Sequence, residues 1–116
     1  MVGRERENGR VRVEILFIPD CPNSAEAAAR VRAALDETGY SGAEIGFRLL
    51  TSGEEASAVP FAGSPTILLD GIDAFPGDGR TSQLACRIYR AGTGFAGVPT
   101  VEDLIAAIRQ RCESGT

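Results

Sequence analysis

Hydrophobic and polar residues begin to alternate along the chain at Val11. The alternation continues to Phe17, and the run up to Ile18 is then continuously apolar, which predicts a central β-strand. Residues 1–10 are polar and have no period, so we expect a flexible tail there. The sequence Pro-Asp-Cys-Pro at positions 19–22 is predicted to end the strand.

A helical pattern follows over residues 22–38, which are rich in alanine. Pro22 suits the first helical position, because its missing N–H costs no hydrogen bond there. Gly39 favours a stop at the other end. One face of this predicted helix carries Ala28, Val31 and Leu35, and the charged residues lie elsewhere on it.

Shorter patterns predict the rest of the chain. In order, they predict a strand over 43–50, a short helix capped by Ser52 and Glu55, a strand over 66–69, a turn at Asp70-Gly71, a long loop over 72–83, a strand over 84–90 and a helix from Thr100. The element order is β-α-β-α-β-β-α. We therefore expect an α/β fold with parallel first and second strands, a four-stranded mixed sheet and a single domain over residues 11–116.

The amino-acid composition argues against several classes of partner and of catalytic site. The formal charge is −4, which argues against a nucleic-acid partner because phosphate binding needs a basic patch. No apolar run is long enough for a membrane span or a signal peptide, so we expect a cytoplasmic protein with no membrane partner. The chain has no His and no Lys, which excludes a Cys-His pair, a histidine metal site and a Schiff-base lysine within it.

The three cysteines are Cys21, Cys86 and Cys112, an odd number without a C-x-x-C spacing, so a disulfide scaffold is not expected. Cys21 is predicted to follow a buried strand and to open a helix, where free N–H groups and the helix dipole favour a thiolate. Asp20 can shuttle a proton, although an acid at a helix start also fits a stabilising role. Arg87 and Arg90 are expected to be solvated arginines at a strand edge.

Two short motifs resemble the thioredoxin-like superfamily: Cys21-Pro22-Asn23-Ser24 after the first strand, and Ser64-Pro65-Thr66 before the third. The resemblance covers roughly residues 11–112. It implies that Cys21 attacks a disulfide and that Pro65 is cis and lies beside it. It also implies that the backbone at Ser64 faces a bound partner, with Pro22, Asn23 and Thr66 as neighbouring contacts. It implies no cofactor.

Ser24 departs from the dithiol form of that motif, because a serine cannot resolve a mixed disulfide. Its hydroxyl can donate a hydrogen bond to the Cys21 thiolate. Cys21 then needs a second thiol from a small molecule, from a partner protein or from Cys86. The first hypothesis is therefore a monothiol protein for thiol–disulfide exchange or thiol-based binding, with a protein or low-molecular-weight thiol or disulfide as partner and an oligomeric state left open.

The chain also looks like small bacterial thioredoxin-like proteins labelled alkylmercury lyase-like. The shared pieces are Cys-Pro-Asn at 21–23, the segment Gly63–Gly71, and Cys-Arg-Ile-Tyr at 86–89. This likeness implies soft-metal or organomercurial binding by Cys21 and Cys86, with Asp20 as proton donor. A third hypothesis is a binding module without enzymatic activity, because a fold does not determine a function.

Overall fold

The computed structural model describes residues 11–76, 80–91 and 94–113, without the side chains of residues 90, 91, 112 and 113. The predicted tail over residues 1–10 and positions 77–79 of the predicted loop lie outside the described residues. The elements are β1 (Val13–Phe17), α1 (Ser24–Glu37), β2 (Ile45–Leu49), α2 (Gly53–Ser57), β3 (Thr66–Leu69), β4 (Ile72–Asp73), β5 (Tyr89–Ala91), β6 (Gly94–Ala96) and α3 (Val101–Glu113). Within these described ranges, no helix has the length and apolar character to cross a membrane.

The main sheet has four strands in the order β2-β1-β3-β4, with β1 parallel to β2 and antiparallel to β3. The predicted mixed sheet is therefore confirmed. Its fourth strand is Ile72–Asp73, which the sequence analysis assigned to a loop. Asp70 and Gly71 both have positive φ, at 54° and 84°, as a two-residue hairpin turn requires. This turn brings the chain straight back alongside β3.

The segment over residues 84–90 is not the fourth strand of that sheet, contrary to prediction. It makes one isolated parallel bridge, from Cys86 to Ser64. Beyond that bridge, β5 pairs with β6 in a separate two-stranded sheet. The segment does form β-type pairs, as its pattern predicts, but it pairs with Ser64 in a loop and with β6 in a local hairpin.

Both faces of the main sheet are covered. On one face α1 and α3 pack over the alternate side chains Val13 and Ile15 of β1, and Val31, Leu35, Leu104 and Ile108 are buried between the layers. On the other face Leu16 and Leu68 pack with Leu50, Ala56 and Phe61 around α2. Burying each large apolar side chain contributes about 1.5–3 kcal/mol, so these two clusters hold the end of β1 in place.

Helix α1 begins at Ser24, two residues later than predicted. Asn23 is the N-cap, and its carbonyl oxygen accepts the first helical hydrogen bond from the N–H of Ala27 at 2.9 Å. Pro22 therefore lies in the turn before the helix. N-cap residues usually have an extended backbone, from which the side chain can accept a hydrogen bond from the first turn of the helix. Asn23 instead has φ −106° and ψ 0°, and its side chain makes no capping hydrogen bond.

The capping pair predicted for α2 is confirmed. The Ser52 hydroxyl accepts a hydrogen bond from the N–H of Glu55 at 3.1 Å. In return, the Glu55 carboxylate accepts from the N–H of Thr51 at 2.7 Å and from its hydroxyl at 2.9 Å. These bonds favour the charged carboxylate and hold the pKa of Glu55 below its ordinary value of 4.5, the backbone N–H being the larger cause.

Candidate functional site

Cys21 lies in the turn that joins β1 to α1, two residues before the N-cap Asn23, so the prediction that it opens the helix is wrong. The N–H of Cys21 donates to the carbonyl oxygen of Ile18 at 3.2 Å, with Pro19 and Asp20 between them. Asp20 has a positive φ of 60°, which fits the third position of a turn that has proline at its second position. The turn leaves Asp20 exposed and Cys21 half-buried. The backbone conformation of Asp20 explains why this residue lies in the turn. The proton-donor role of its carboxyl group stays a prediction.

The three residues after Cys21 differ in their surroundings. Pro22 is exposed, while Asn23 and Ser24 are half-buried. The Ser24 hydroxyl donates to the backbone carbonyl oxygen of Cys21 at 3.4 Å. The predicted hydrogen bond from this hydroxyl to the Cys21 thiolate stays a prediction. The Asn23 side chain lies so close to Gly97 that a Cβ there would collide with it, so Asn23 packs under the chain that leads into α3.

The segment Ser64-Pro65-Thr66 is entirely buried. The Ser64–Pro65 peptide bond is cis, which confirms that prediction. The Ser64 hydroxyl accepts from the N–H of Ile18 at 3.1 Å, so Ser64 contacts the end of β1 directly beside the Cys21 turn. The Thr66 hydroxyl donates to the carbonyl oxygen of Gly63 within its own loop. Thr66 thus contributes to the loop and not to the surface.

Both backbone hydrogen-bonding groups of Ser64 are occupied by the chain itself. Its N–H donates to the carbonyl oxygen of Ala85 at 2.8 Å, and its carbonyl oxygen accepts from the N–H of Arg87 at 2.9 Å. The resemblance implied that a bound partner would face this backbone. In the structure, residues 84–87 take that place.

We call residues 80–89 the strap. It is attached along its length, because the N–H of Thr81 donates to the carbonyl oxygen of Phe61 at 2.7 Å and the Arg80 guanidinium donates to two backbone carbonyl oxygens at the end of α2. At its far end the Tyr89 hydroxyl donates to the carbonyl oxygen of Pro65. The strap is therefore a fixed part of the fold.

Arg87 is the central attachment of the strap and is 3% exposed, so the expectation that it is solvated is wrong, whereas the side chain of Arg90 lies outside the described residues. Its guanidinium forms an ion pair with Asp73 at 3.0 Å, donates to the carbonyl oxygen of Phe75 and lies 4.8 Å from the centre of the Tyr89 ring. The sequence carries no signal for this burial, because apolar Cys86 and Ile88 alternate with Arg87 and would be expected to face inward, whereas Arg87 and Tyr89 are the buried residues.

Ser64 contacts both of the segments that carry Cys86 and Cys21. Cys86 is the bridge partner of Ser64, and paired residues in a β-ladder project their side chains on the same face. The Ser64 side chain points to Ile18, the residue whose carbonyl oxygen the Cys21 N–H binds. Both cysteines are free, and Cys86 is exposed. The fold thus brings the two segments that carry these thiols, 65 positions apart in the sequence, into contact with the same serine.

Comparisons with known proteins find no match for the chain among protein-family models or among curated proteins. Its function is therefore inferred from the geometry of this site and from the motifs it contains. The described ranges hold no group of three or more His, Cys, Asp or Glu side chains placed to bind a metal ion. A soft-metal site would depend on the two thiolates of Cys21 and Cys86.

A second feature is an open cavity of about 470 Å³ between the strap and α3. Phe75, Tyr89 and Pro99 supply apolar walls, and Asp103 and Gln110 supply polar groups. Neither cysteine of the site lines it. The sequence did not predict this cavity, because its walls come from four separate segments.

Proposed function

We propose that this chain is a thioredoxin-like protein that uses Cys21 as a single nucleophilic thiol, in thiol–disulfide exchange or in thiol-based binding of a partner. The observation that carries the proposal is the position of Cys21, half-buried in the strand-to-helix turn whose first residue, Ile18, is hydrogen-bonded to the buried Ser64. The parallel β1–β2 pair, the antiparallel β3 and β4 and the two short motifs support the same assignment.

The reaction needs a thiolate and a disulfide. The Cys21 thiolate attacks one sulfur of a disulfide R–S–S–R, a Cys21–S–S–R bond forms, and the second sulfur leaves as R–S⁻. The first N–H groups of α1 lack helical partners and carry the positive end of the helix dipole, which favours negative charge nearby. Ser24 cannot displace R–S⁻ from the mixed disulfide, so a thiol outside the motif must complete the cycle.

Single-cysteine variants test the role of Cys21. The Cys86→Ser/Cys112→Ser protein keeps only Cys21, and the Cys21→Ser/Cys112→Ser protein keeps only Cys86. We expect the Cys21 protein to release thiolate from an aromatic disulfide at pH 7 about tenfold faster, because the proposal makes Cys21 the nucleophile and its turn leads directly into the positive N-terminal end of α1. The measurement is the absorbance of the released thiolate under pseudo-first-order conditions.

Cys86 is the matched control, because it is the more exposed of the two thiols. If accessibility alone governed the rate, the Cys86 protein would react at least as fast. Equal rate constants would therefore contradict the proposal and favour a binding module without thiol chemistry.

A second candidate is soft-metal or organomercurial binding by Cys21 and Cys86, favoured by the contacts of Ser64 with Cys86 and with the first residue of the Cys21 turn. Two thiolates suit Hg(II), and a carbon–mercury bond would break when a proton from Asp20 reaches the carbon and the metal stays on both sulfurs. We expect one Hg(II) per chain by calorimetry, with affinity lost in Cys21→Ser and in Cys86→Ser. Unchanged binding by either variant would remove this candidate.

A further inference from the structure

We propose that Cys86 supplies the second thiol that is absent from position 24. After Cys21 reacts with a small disulfide, Cys86, which the strap holds in place, closes a Cys21–Cys86 disulfide. This inference rests on the proposed function, since Cys21 must react first. It adds the identity of the resolving thiol and the class of substrate, a low-molecular-weight disulfide.

The position of Cys86 follows from three contacts. Ser64 is paired with Cys86 in a parallel bridge, held by two backbone hydrogen bonds of 2.8 and 2.9 Å. The Ser64 side chain, on the same face as Cys86, reaches the N–H of Ile18 at 3.1 Å. The Cys21 turn is closed on the carbonyl oxygen of that same Ile18. Ser64 therefore holds the strap at Cys86 through its backbone and the first residue of the Cys21 turn through its side chain.

The strap itself explains why Cys86 stays there. The residues on either side of Cys86 bond to Ser64, and Arg87 is buried with its charge paired to Asp73. Gly63 has a φ of 112° and lies against the Arg87 backbone so closely that a Cβ would come within 2.8 Å of the Arg87 Cβ. A thiol on a segment attached in this way stays close to its position when Cys21 is modified.

The strap also limits the substrate. An extended polypeptide that docks on Ser64 would need its N–H and carbonyl groups, and both are already bonded to Ala85 and Arg87. Displacing the strap would break these bonds and expose the buried Arg87–Asp73 pair. A small disulfide needs no backbone pairing at Ser64 and has only to reach the half-buried Cys21 sulfur.

The Cys21 thiolate attacks a small disulfide R–S–S–R, forming Cys21–S–S–R and releasing one R–S⁻. The Cys86 thiolate then attacks the Cys21 sulfur, forming the Cys21–Cys86 disulfide and releasing the second R–S⁻. The two thiols lose two electrons, which reduce R–S–S–R to two R–S⁻, and the protons of the thiols pass to water.

The test uses glutathione disulfide with the Cys112→Ser protein as the reference. We expect the reference to release two glutathione molecules per chain and to keep none, with a Cys21–Cys86 crosslink in the non-reducing peptide map. The additional change Cys86→Ser should give one released glutathione and one retained on Cys21, measured by intact mass. A matched control, Ser82→Cys with Cys86→Ser, places a thiol at another exposed position of the strap and should also retain the adduct.

The outcomes separate the two proposals. If the reference retains glutathione on Cys21 as stably as the Cys86→Ser variant does, the resolving role is overturned while Cys21 exchange stands. If Ser82→Cys restores full release, the position of Cys86 is not special and the inference fails. If no variant releases glutathione, the proposed function itself fails. Reaction with an unfolded polypeptide disulfide as fast as with glutathione disulfide would overturn the substrate class.

Discussion

Replacing Arg87 with methionine is expected to lower the free energy of unfolding by about 4 kcal/mol, because breaking a buried ion pair leaves the other charge without compensation. Arg87 is 3% exposed, and its side chain lies at 3.0 Å from an Asp73 carboxylate that is 15% exposed. Methionine keeps much of the apolar stem but donates no hydrogen bond to Asp73 or Phe75. The loss is a large part of the 5–15 kcal/mol typical of small proteins.

Urea unfolding followed by far-UV circular dichroism measures this change. The control is Arg48→Met, because Arg48 forms a similar ion pair with Glu14 at 3.0 Å with both side chains partly in solvent, and its loss should cost less than about 1 kcal/mol. The double variant Arg87→Met/Asp73→Asn should recover part of the loss, since no charge is left buried alone. Equal losses for Arg87→Met and Arg48→Met would contradict the account.

Replacing Gly63 with alanine is expected to cost about 3 kcal/mol, from an unfavourable backbone conformation and a steric clash. Gly63 has a φ of 112°, which L-residues with a Cβ rarely adopt. A Cβ would lie 2.8 Å from the Cβ and 3.0 Å from the Cα of Arg87. The neighbouring atoms belong to the strap, which is attached at several points, so moving them away would break hydrogen bonds of the strap.

Gly42→Ala is the matched control, because nothing lies within 4 Å of a Cβ built there and its φ is not in the restricted range. We expect its free energy of unfolding to stay within about 1 kcal/mol of the parent protein. Urea midpoints and slopes of both variants give the comparison. A Gly63→Ala protein as stable as Gly42→Ala would show that the strap is not held against this loop.

Several features of the site could be predicted because they depend on neighbouring residues. The apolar run of β1 followed by Pro-Asp-Cys-Pro predicts where Cys21 lies, since proline ends a strand by removing an N–H donor. Asp70-Gly71 predicts a tight turn because both positions take positive φ. The cis bond at Pro65 could be predicted from the resemblance of Ser64-Pro65-Thr66 to the thioredoxin-like motif, whereas composition and spacing alone do not predict it.

Other features depend on which distant segments meet. The β-type pattern of residues 84–90 predicts the fourth strand there. The observed fourth strand, Ile72–Asp73, is only two residues long, which is too short for a pattern of alternating residues to indicate it. Arg87 was expected in solvent because an arginine is rarely buried without a partner, and its partner Asp73 is 14 positions away. The pattern of residues along a segment indicates that it tends to form an extended strand, but it does not indicate which other segment that strand pairs with.

The sequence by itself determined the α/β class, the turn that holds Cys21, the α2 cap and the absence of a second thiol at Ser24. These depend on local backbone preferences and on residue identity. Only the tertiary structure decided that the strap occupies the Ser64 backbone, that Arg87 is buried against Asp73, and that Cys86 pairs with the serine that also holds the first residue of the Cys21 turn. Those contacts arise from packing between segments far apart in the chain, where hydrogen bonds and burial select one arrangement among many that the local pattern allows.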